Sequence, residues 1–202
     1  MKSREGTVVD ADELIEEIKK MALIEIKKRY SNIKEKEANT RALDISLSAI
    51  KFYLLKNDAK KDMVFEPEKS ISFEGETGPY LQYTFARATS IIKKAEEEKT
   101  NLTKLAKADF SLLKEQKEKE LIVELSKYTD SIKKSWEELS LHPLCHNLLG
   151  VAEKFNSFYH DVPVLKAENE KIKLARIALI EATRIVLKKG FEIIDIKAIE
   201  EM

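Results

Sequence analysis

At 202 residues, the chain suits one medium domain or one domain joined to part of another. Five glycines and four prolines leave room for few turns, and Lys, Glu, Ile, Leu and Ala dominate, which predicts an all-α protein under a densely charged surface. The 36 basic and 36 acidic side chains cancel, excluding whole-molecule attraction for polyanions; the single cysteine, Cys145, excludes an internal disulfide and fits a reducing cytoplasm.

Charges interrupt every hydrophobic stretch, so neither a signal peptide nor a membrane span is expected. Met1 to Val9 reads as a polar loop running into a short β-like Val8-Val9. Asp10, three residues before Glu13, is a capping-box variant that starts a first helix, with Leu14, Ile18 and Met21 at helical spacing. After a polar break at Tyr30–Asn32, a second helix carries Leu43, Leu47, Ile50 and Leu54 on one face. Asn57 to Asp62 is a lysine-rich loop, and Met63-Val64-Phe65 is expected to be briefly extended.

Glu66 to Pro79 is the least regular stretch; Gly75, Gly78 and Pro79 within five residues predict a tight, specifically shaped loop. A helix should begin beside Pro79 and carry the stripe Leu81, Phe85, Ala88, Ile92, Ala95. The run Glu115–Glu120 reads as a solvated helix face. Leu121, Leu125, Tyr128, Ile132, Trp136 and Leu139 alternate by three and four, as do Leu144, Leu148, Val151, Phe155 and Phe158 after Pro143. The last long helix passes through Ile172, Ala175, Leu179, Ala182 and Val186 and should end at Lys188-Lys189, with Gly190 beyond as its cap. Such stripes can hold a helical bundle together. His142, Cys145 and His146 offer at most three metal ligands, short of the four of a structural zinc site, so Pro143 starting a helix is the better account.

Periodicity explains Leu81 as core. It does not explain two tyrosines and a glutamine crowded around Leu81, or the Gly-x-x-Gly-Pro turn before them. The run Phe73-Glu74-Gly75-Glu76-Thr77-Gly78-Pro79-Tyr80-Leu81-Gln82-Tyr83, with Ala86-Arg87 and Ser90-Ile91, resembles the signature of arginyl-tRNA synthetases where their catalytic domain passes into the anticodon-binding bundle. Ala42 through Lys51 and Lys61 through Phe65 resemble the family upstream of it. Downstream, Phe155 through Leu165 resembles the anticodon-proximal helix and loop, and Ala175-Arg176, Leu179 and Val186–Gly190 resemble the last bundle helix. Glu200-Glu201-Met202 is similar to the family's Glu-Arg-Met-like tail, with Glu in the Arg position. Met1 to Val9 resembles the ATP signature loop of class I synthetases, with Lys2 where serine is more common.

The resemblance implies a helical bundle of the class I synthetase anticodon-binding type, over residues 73–202. Residues 1–72 would be helices and signature loop from the end of the catalytic domain. The parent enzyme would join arginine to its tRNA using ATP with Mg2+. Neither a His-x-Gly-His pattern nor a Gly-rich phosphate loop occurs here, so this chain alone is expected to be inactive, to hold no cofactor, no metal and no catalytic residue, and to read the anticodon. Its expected partners are tRNA for arginine and the N-terminal catalytic domain, with neither membrane nor DNA among them.

Lys2, Ser3 and Arg4 would face ATP phosphates, and Tyr159, Met202, Arg87, Tyr80, Gln82 and Tyr83 would contact tRNA. Tyr159 would stack on an unpaired cytosine and the Met202 end would meet its edge. Burial tendencies alone would make Tyr159 core, and Arg87 could equally form an ion pair within the bundle. Lys93-Lys94, Lys133-Lys134 and Lys188-Lys189 are either phosphate contacts or solvated pairs. The first two helices are expected to pack poorly without the catalytic domain. Without the resemblance, a free-standing helical adaptor module would be the alternative.

Overall fold

In the computed structural model, which describes residues 10–30 and 32–202, the chain is all-α: eight α-helices, with no strand among these residues. The anticipated loop Met1–Val9, with Lys2, Ser3 and Arg4, lies outside the described residues. Asp10 caps α1 (Ala11–Arg29), its carboxylate accepting from the Asp12 amide at 2.8 Å. Lys27, Lys28 and Arg29 sit in the last turn, where they oppose the helix dipole.

α2 spans Glu35–Leu55, but its buried stripe is not the expected one. Ala38, Ala42, Ile45, Ala49 and Phe52 face inward, while Leu43 and Leu54 are 37% and 48% exposed. The alanines let the backbone of α1 approach closely, so a stripe of small residues outcompetes one of large residues for the contact. Ile18, Ala22 and Ile26 of α1 fill the facing side. The expectation that these two helices pack poorly is corrected by this shared core, which also takes in Ile71 and Ile199 from distant parts of the chain.

A single-turn helix, α3 (Pro67–Ser70), interrupts the irregular segment. Met63–Phe65 forms no strand; the Tyr53 hydroxyl donates to the Val64 carbonyl at 2.7 Å and the Tyr53 ring meets Phe65 edge-on. Gly75 turns the chain at φ 79°, a left-handed conformation that glycine adopts without penalty. α4 (Gly78–Glu97) then starts with Thr77 as cap, its hydroxyl accepting from the Tyr80 amide at 3.1 Å, and Pro79 in the first turn. Gly78 lies against α2 so closely that a Cβ there would stand 2.3 Å from the Ser48 carbonyl oxygen.

Two short 3-10 segments, Leu102–Lys107 and Phe110–Leu112, lead to α5 (Gln116–Ser126) and α6 (Tyr128–Glu138). The stripe read across them does not stay buried: Leu121 is enclosed, but Trp136 is 80% and Leu139 89% exposed. The helix breaks at Lys127, so the two halves present different faces, and Leu139 ends α6 in a left-handed conformation. The run Glu115–Glu120 is also not a uniformly solvated face. Glu118 is fully buried, accepts from Arg176 Nε at 2.6 Å and closes a capping box by accepting from the Glu115 amide at 2.8 Å.

α7 (His142–Asp161) buries Leu144, Leu148, Val151, Phe155 and Phe158 completely, the stripe read from the sequence. α8 (Glu170–Ile193) does not stop at Lys189: Gly190 is inside the helix, where a Cβ would come 2.4 Å from a Leu148 methyl carbon. Glycine there lets the Leu148 side chain of α7 lie directly against the α8 backbone, and it does not cap a terminus. Cys145 of α7 is buried in the core that α7 shares with α4 and α8, and burial pushes its thiol up from 9.0 to about 12. Because the unfolded thiol ionises first, Cys145 contributes stability that is intact below pH 9.0 and declines as pH rises towards about 12. Native chain at pH 8 should resist thiol-specific alkylation that goes to completion in denaturant; rapid native labelling would contradict this packing. Among the described residues no helix is long and apolar enough to cross a membrane.

Candidate nucleic-acid interface

The stripe on α7 turns inward, and one residue past Phe158 the helix has rotated by about 100°, which brings Tyr159 towards the surface. Tyr159 is 38% exposed, and its ring lies parallel to that of Phe155, with centroids 6.3 Å apart and planes within 4°. Phe155 is the buried support and Tyr159 the accessible ring above it. The ring therefore faces a cleft of about 470 Å³, with Tyr83, Arg87, Lys93 and Lys94 of α4 on one wall and Met202 at the rim.

Arg87 and Tyr83 are four residues apart and so share a face of α4. The guanidinium carbon of Arg87 lies 4.6 Å from the Tyr83 ring centre and 5.9 Å from that of Tyr159. Its Nη2 donates to the Tyr83 hydroxyl and its Nη1 to Asn156 Oδ1, both at 2.6 Å. The Tyr83 bond lies within α4 and the Asn156 bond joins α4 to α7; among the described residues Arg87 makes these contacts in place of an intrabundle ion pair. Of the sequence-expected contacts, Tyr159, Met202, Arg87 and Tyr83 come together around this one cleft.

Two do not. Gln82 is 0% exposed, and its amide nitrogen donates to the Lys197 carbonyl at 2.9 Å and more weakly to that of Asp44 at 3.4 Å. A side chain enclosed in this way has no surface to offer RNA; it pins the segment after α8. Tyr80 is half-buried and absent from the cleft wall, with its hydroxyl accepting from Asn156 Nδ2 at 3.0 Å. The positions of both residues on α4 turn them towards neighbouring parts of the fold.

The segment after α8 delivers Met202. Asp195 takes a left-handed conformation that turns the chain, and Ile196 and Ile199 bury into the core. Lys51 pairs with Asp195 at 2.5 Å and Lys197 with Asp44 at 2.7 Å, tying the segment to α2. Met202 then packs against the α1–α2 core. Lys93 lies 3.3 Å from Glu200 and 3.6 Å from Glu201, so part of the cleft's positive charge is already countered. Of the other lysine pairs, Lys134 meets Glu138 at 3.8 Å and Lys189 meets Glu192 at 2.7 Å, both on the protein's own helices.

Sequence reasoning missed Tyr30, Glu200, Glu201 and Asn156. Tyr30, Glu200 and Glu201 line the cleft, and Asn156 stands behind it. Tyr30 follows the end of α1 and reaches the cleft only because α1 packs on α2; no local pattern signals that. Among the described residues no group of three or more His, Cys, Asp or Glu could hold a metal ion.

The profile of the DALR anticodon binding domain matches residues 81–202. The arginine–tRNA ligase of Treponema denticola is 40% identical over 207 residues, an alignment that takes in 100% of this chain and 34% of that protein. Its counterpart in Porphyromonas gingivalis is 35% identical over 204 residues, again 100% of this chain and 34% of the relative. The chain thus spans about a third of the length of the curated relatives it matches. Among solved structures, the Thermus thermophilus arginyl-tRNA synthetase superposes with a TM-score of 0.86 at 29% identity, covering 96% of this chain and 32% of that one. The Plasmodium falciparum arginyl-tRNA synthetase shares the fold at a TM-score of 0.82 and 23% identity, over 96% and 34% of the two chains. With a bundle of this form, and the matched segment running from Leu81 in the first turn of α4 through Met202, the chain belongs to the DALR anticodon binding domain family, and the relatives it matches are arginine–tRNA ligases.

Proposed function

We propose that this chain is the tRNA-reading part of an arginine–tRNA ligase and that its cleft receives an unpaired cytosine of the anticodon. Arginine codons share a central G, so the matching anticodon base is a cytosine. A single-stranded base of this kind is recognised by stacking and by hydrogen bonds to its edge. The observation that carries the reading is the meeting of Tyr159, Arg87 and Met202 at one cleft, although they come from three separate parts of the chain. Tyr159 supplies the stacking face. Acceptors for the cytosine amino group stand at the rim, in the backbone near Met202 and the carboxylates of Glu200 and Glu201. Arg87 and Lys94 supply positive charge for neighbouring phosphates.

The parent enzyme joins arginine to its tRNA at the expense of ATP with Mg2+, in the cytoplasm, through a catalytic part that this chain does not contain. Residues 1–72 belong to the end of that part and residues 73–202 to the anticodon-binding domain. Lys2, Ser3 and Arg4 would approach ATP only in the intact enzyme, and this chain alone is inactive in aminoacylation.

The chain is expected to bind tRNA for arginine more tightly than other tRNAs, with affinity falling as salt rises. Equal binding to all tRNAs at moderate salt would overturn the proposal. Tyr159→Ala should weaken the preferred complex by roughly 5-fold to 150-fold, from the typical 1–3 kcal/mol of base–aromatic stacking, with little change in melting temperature. If discrimination survives that substitution intact, Tyr159 is not in the site.

A further inference from the structure

Resting on the RNA-binding reading above, we infer that Asn156 is a positioning residue that holds the Arg87 guanidinium in its working orientation. Asn156 lies one turn before Tyr159 on α7 and uses both ends of its amide. Nδ2 donates to the Tyr80 hydroxyl at 3.0 Å and to Thr84 Oγ1 at 2.9 Å, both on α4. The guanidinium can only donate, so the bond from Arg87 Nη1 at 2.6 Å fixes Oδ1 as the acceptor. The Thr84 hydroxyl, whose own proton goes to the Tyr80 carbonyl at 2.9 Å, can then only accept from Nδ2. The Tyr83 hydroxyl holds Nη2 at 2.6 Å on the other side.

The choice of an amide has a chemical consequence. A carboxylate at position 156 would hold Arg87 as firmly but cancel its charge. An amide carbonyl accepts the hydrogen bond and leaves the cation whole. Among the described residues Arg87 forms no ion pair, whereas its neighbour on the same wall, Lys93, is engaged by Glu200 and Glu201. Two of the five guanidinium N–H groups are committed to Asn156 and Tyr83, and the remaining donors are available to an anionic or carbonyl-bearing ligand. A guanidinium already oriented loses little further freedom when it binds phosphate or a base edge. Tyr80 and Thr84 thereby act on the cleft through Asn156 without reaching it.

Two measurements test this. In the free chain, nitrogen-15 NMR of the arginine side chains should show restricted rotation of the Arg87 guanidinium. That restriction should be lost in Asn156→Ala and kept in Asn156→Asp. An Arg87 guanidinium equally restricted in wild type and Asn156→Ala overturns the proposal, whatever happens with RNA. The second measurement uses tRNA for arginine as the probe. Asn156→Ala should weaken binding by about tenfold, in line with loss of a hydrogen bond to a charged group. In an Arg87→Ala background the same change should cost less than about twofold, since coupled residues are not additive. Asn156→Asp should also weaken binding although Arg87 stays fixed. An undiminished tenfold loss in the Arg87→Ala background shows that Asn156 acts on the fold and not through Arg87, which overturns the inference. If wild type itself fails to prefer this tRNA while the NMR result holds, the RNA reading fails and the positioning of Arg87 stands.

Discussion

Replacing Glu118 by alanine is expected to lower the stability of the fold by about 3–5 kcal/mol, the usual cost of leaving one member of a buried ion pair without its partner. Glu118 is 0% exposed and Arg176 only 8%. The Glu118 carboxylate joins α5 to α8 through Arg176 Nε at 2.6 Å, and Arg176 Nη1 in turn donates to the Pro163 carbonyl at 2.8 Å. The alanine variant strands a guanidinium in the interior with a single carbonyl as partner. It also removes the acceptor that caps the Glu115 amide. Glu118→Gln keeps an acceptor in place and should lose less. The double variant Glu118→Ala, Arg176→Met should recover most of the loss, because a matched apolar pair carries no uncompensated charge. Urea denaturation of the four chains decides it: a Glu118→Ala midpoint equal to wild type would remove the pair from any structural role. Pro163 begins the segment just beyond Tyr159, so a loosened pair should also reach the cleft.

Phe155→Ala should cost a similar amount, about 3–5 kcal/mol, since it opens a cavity under a fully buried aromatic residue. Phe155 sits among Phe158, Ile91, Leu179 and Ile180 in the core where α4, α7 and α8 meet. Its second consequence concerns the surface. The parallel contact at 6.3 Å makes Phe155 the floor on which Tyr159 rests. Phe155→Leu retains most of the volume and should cost about 1 kcal/mol, the ordinary size of a tolerated core change. Because it removes the flat support, it should still weaken tRNA binding in fully folded chain. Binding measured at a temperature where Phe155→Leu is entirely native separates the two effects. Full affinity there would mean that Tyr159 orients itself without help from the ring beneath.

The stripe Leu144, Leu148, Val151, Phe155, Phe158 was legible because large apolar residues recur at helical spacing and each found a partner layer. The stripe on α2 misled for a related reason. Leu43 and Leu54 outweigh Ala38 and Ala42 in any hydrophobicity count, yet the tighter packing surface is the alanine one. Glu118 and Gly190 show the same limit. A glutamate in a charged run and a glycine after two lysines look like surface and cap until another helix is laid across them. Gln82 reversed in role for this reason too, from expected RNA contact to pin for the Lys197 backbone.

By itself the sequence determined the helical class, the cap at Asp10, the turn at Gly75–Pro79 and the kinship carried by the residues around Tyr80, because these depend on local backbone chemistry and on residue identity. The tertiary structure decided which faces are buried, which charges are paired and which side chains share the cleft. Those outcomes depend on how helices far apart in the chain cross one another, and helical spacing within one segment carries no information about the surface it will meet. Tyr159, Arg87 and Met202 stand at one opening because α7, α4 and the final segment converge there.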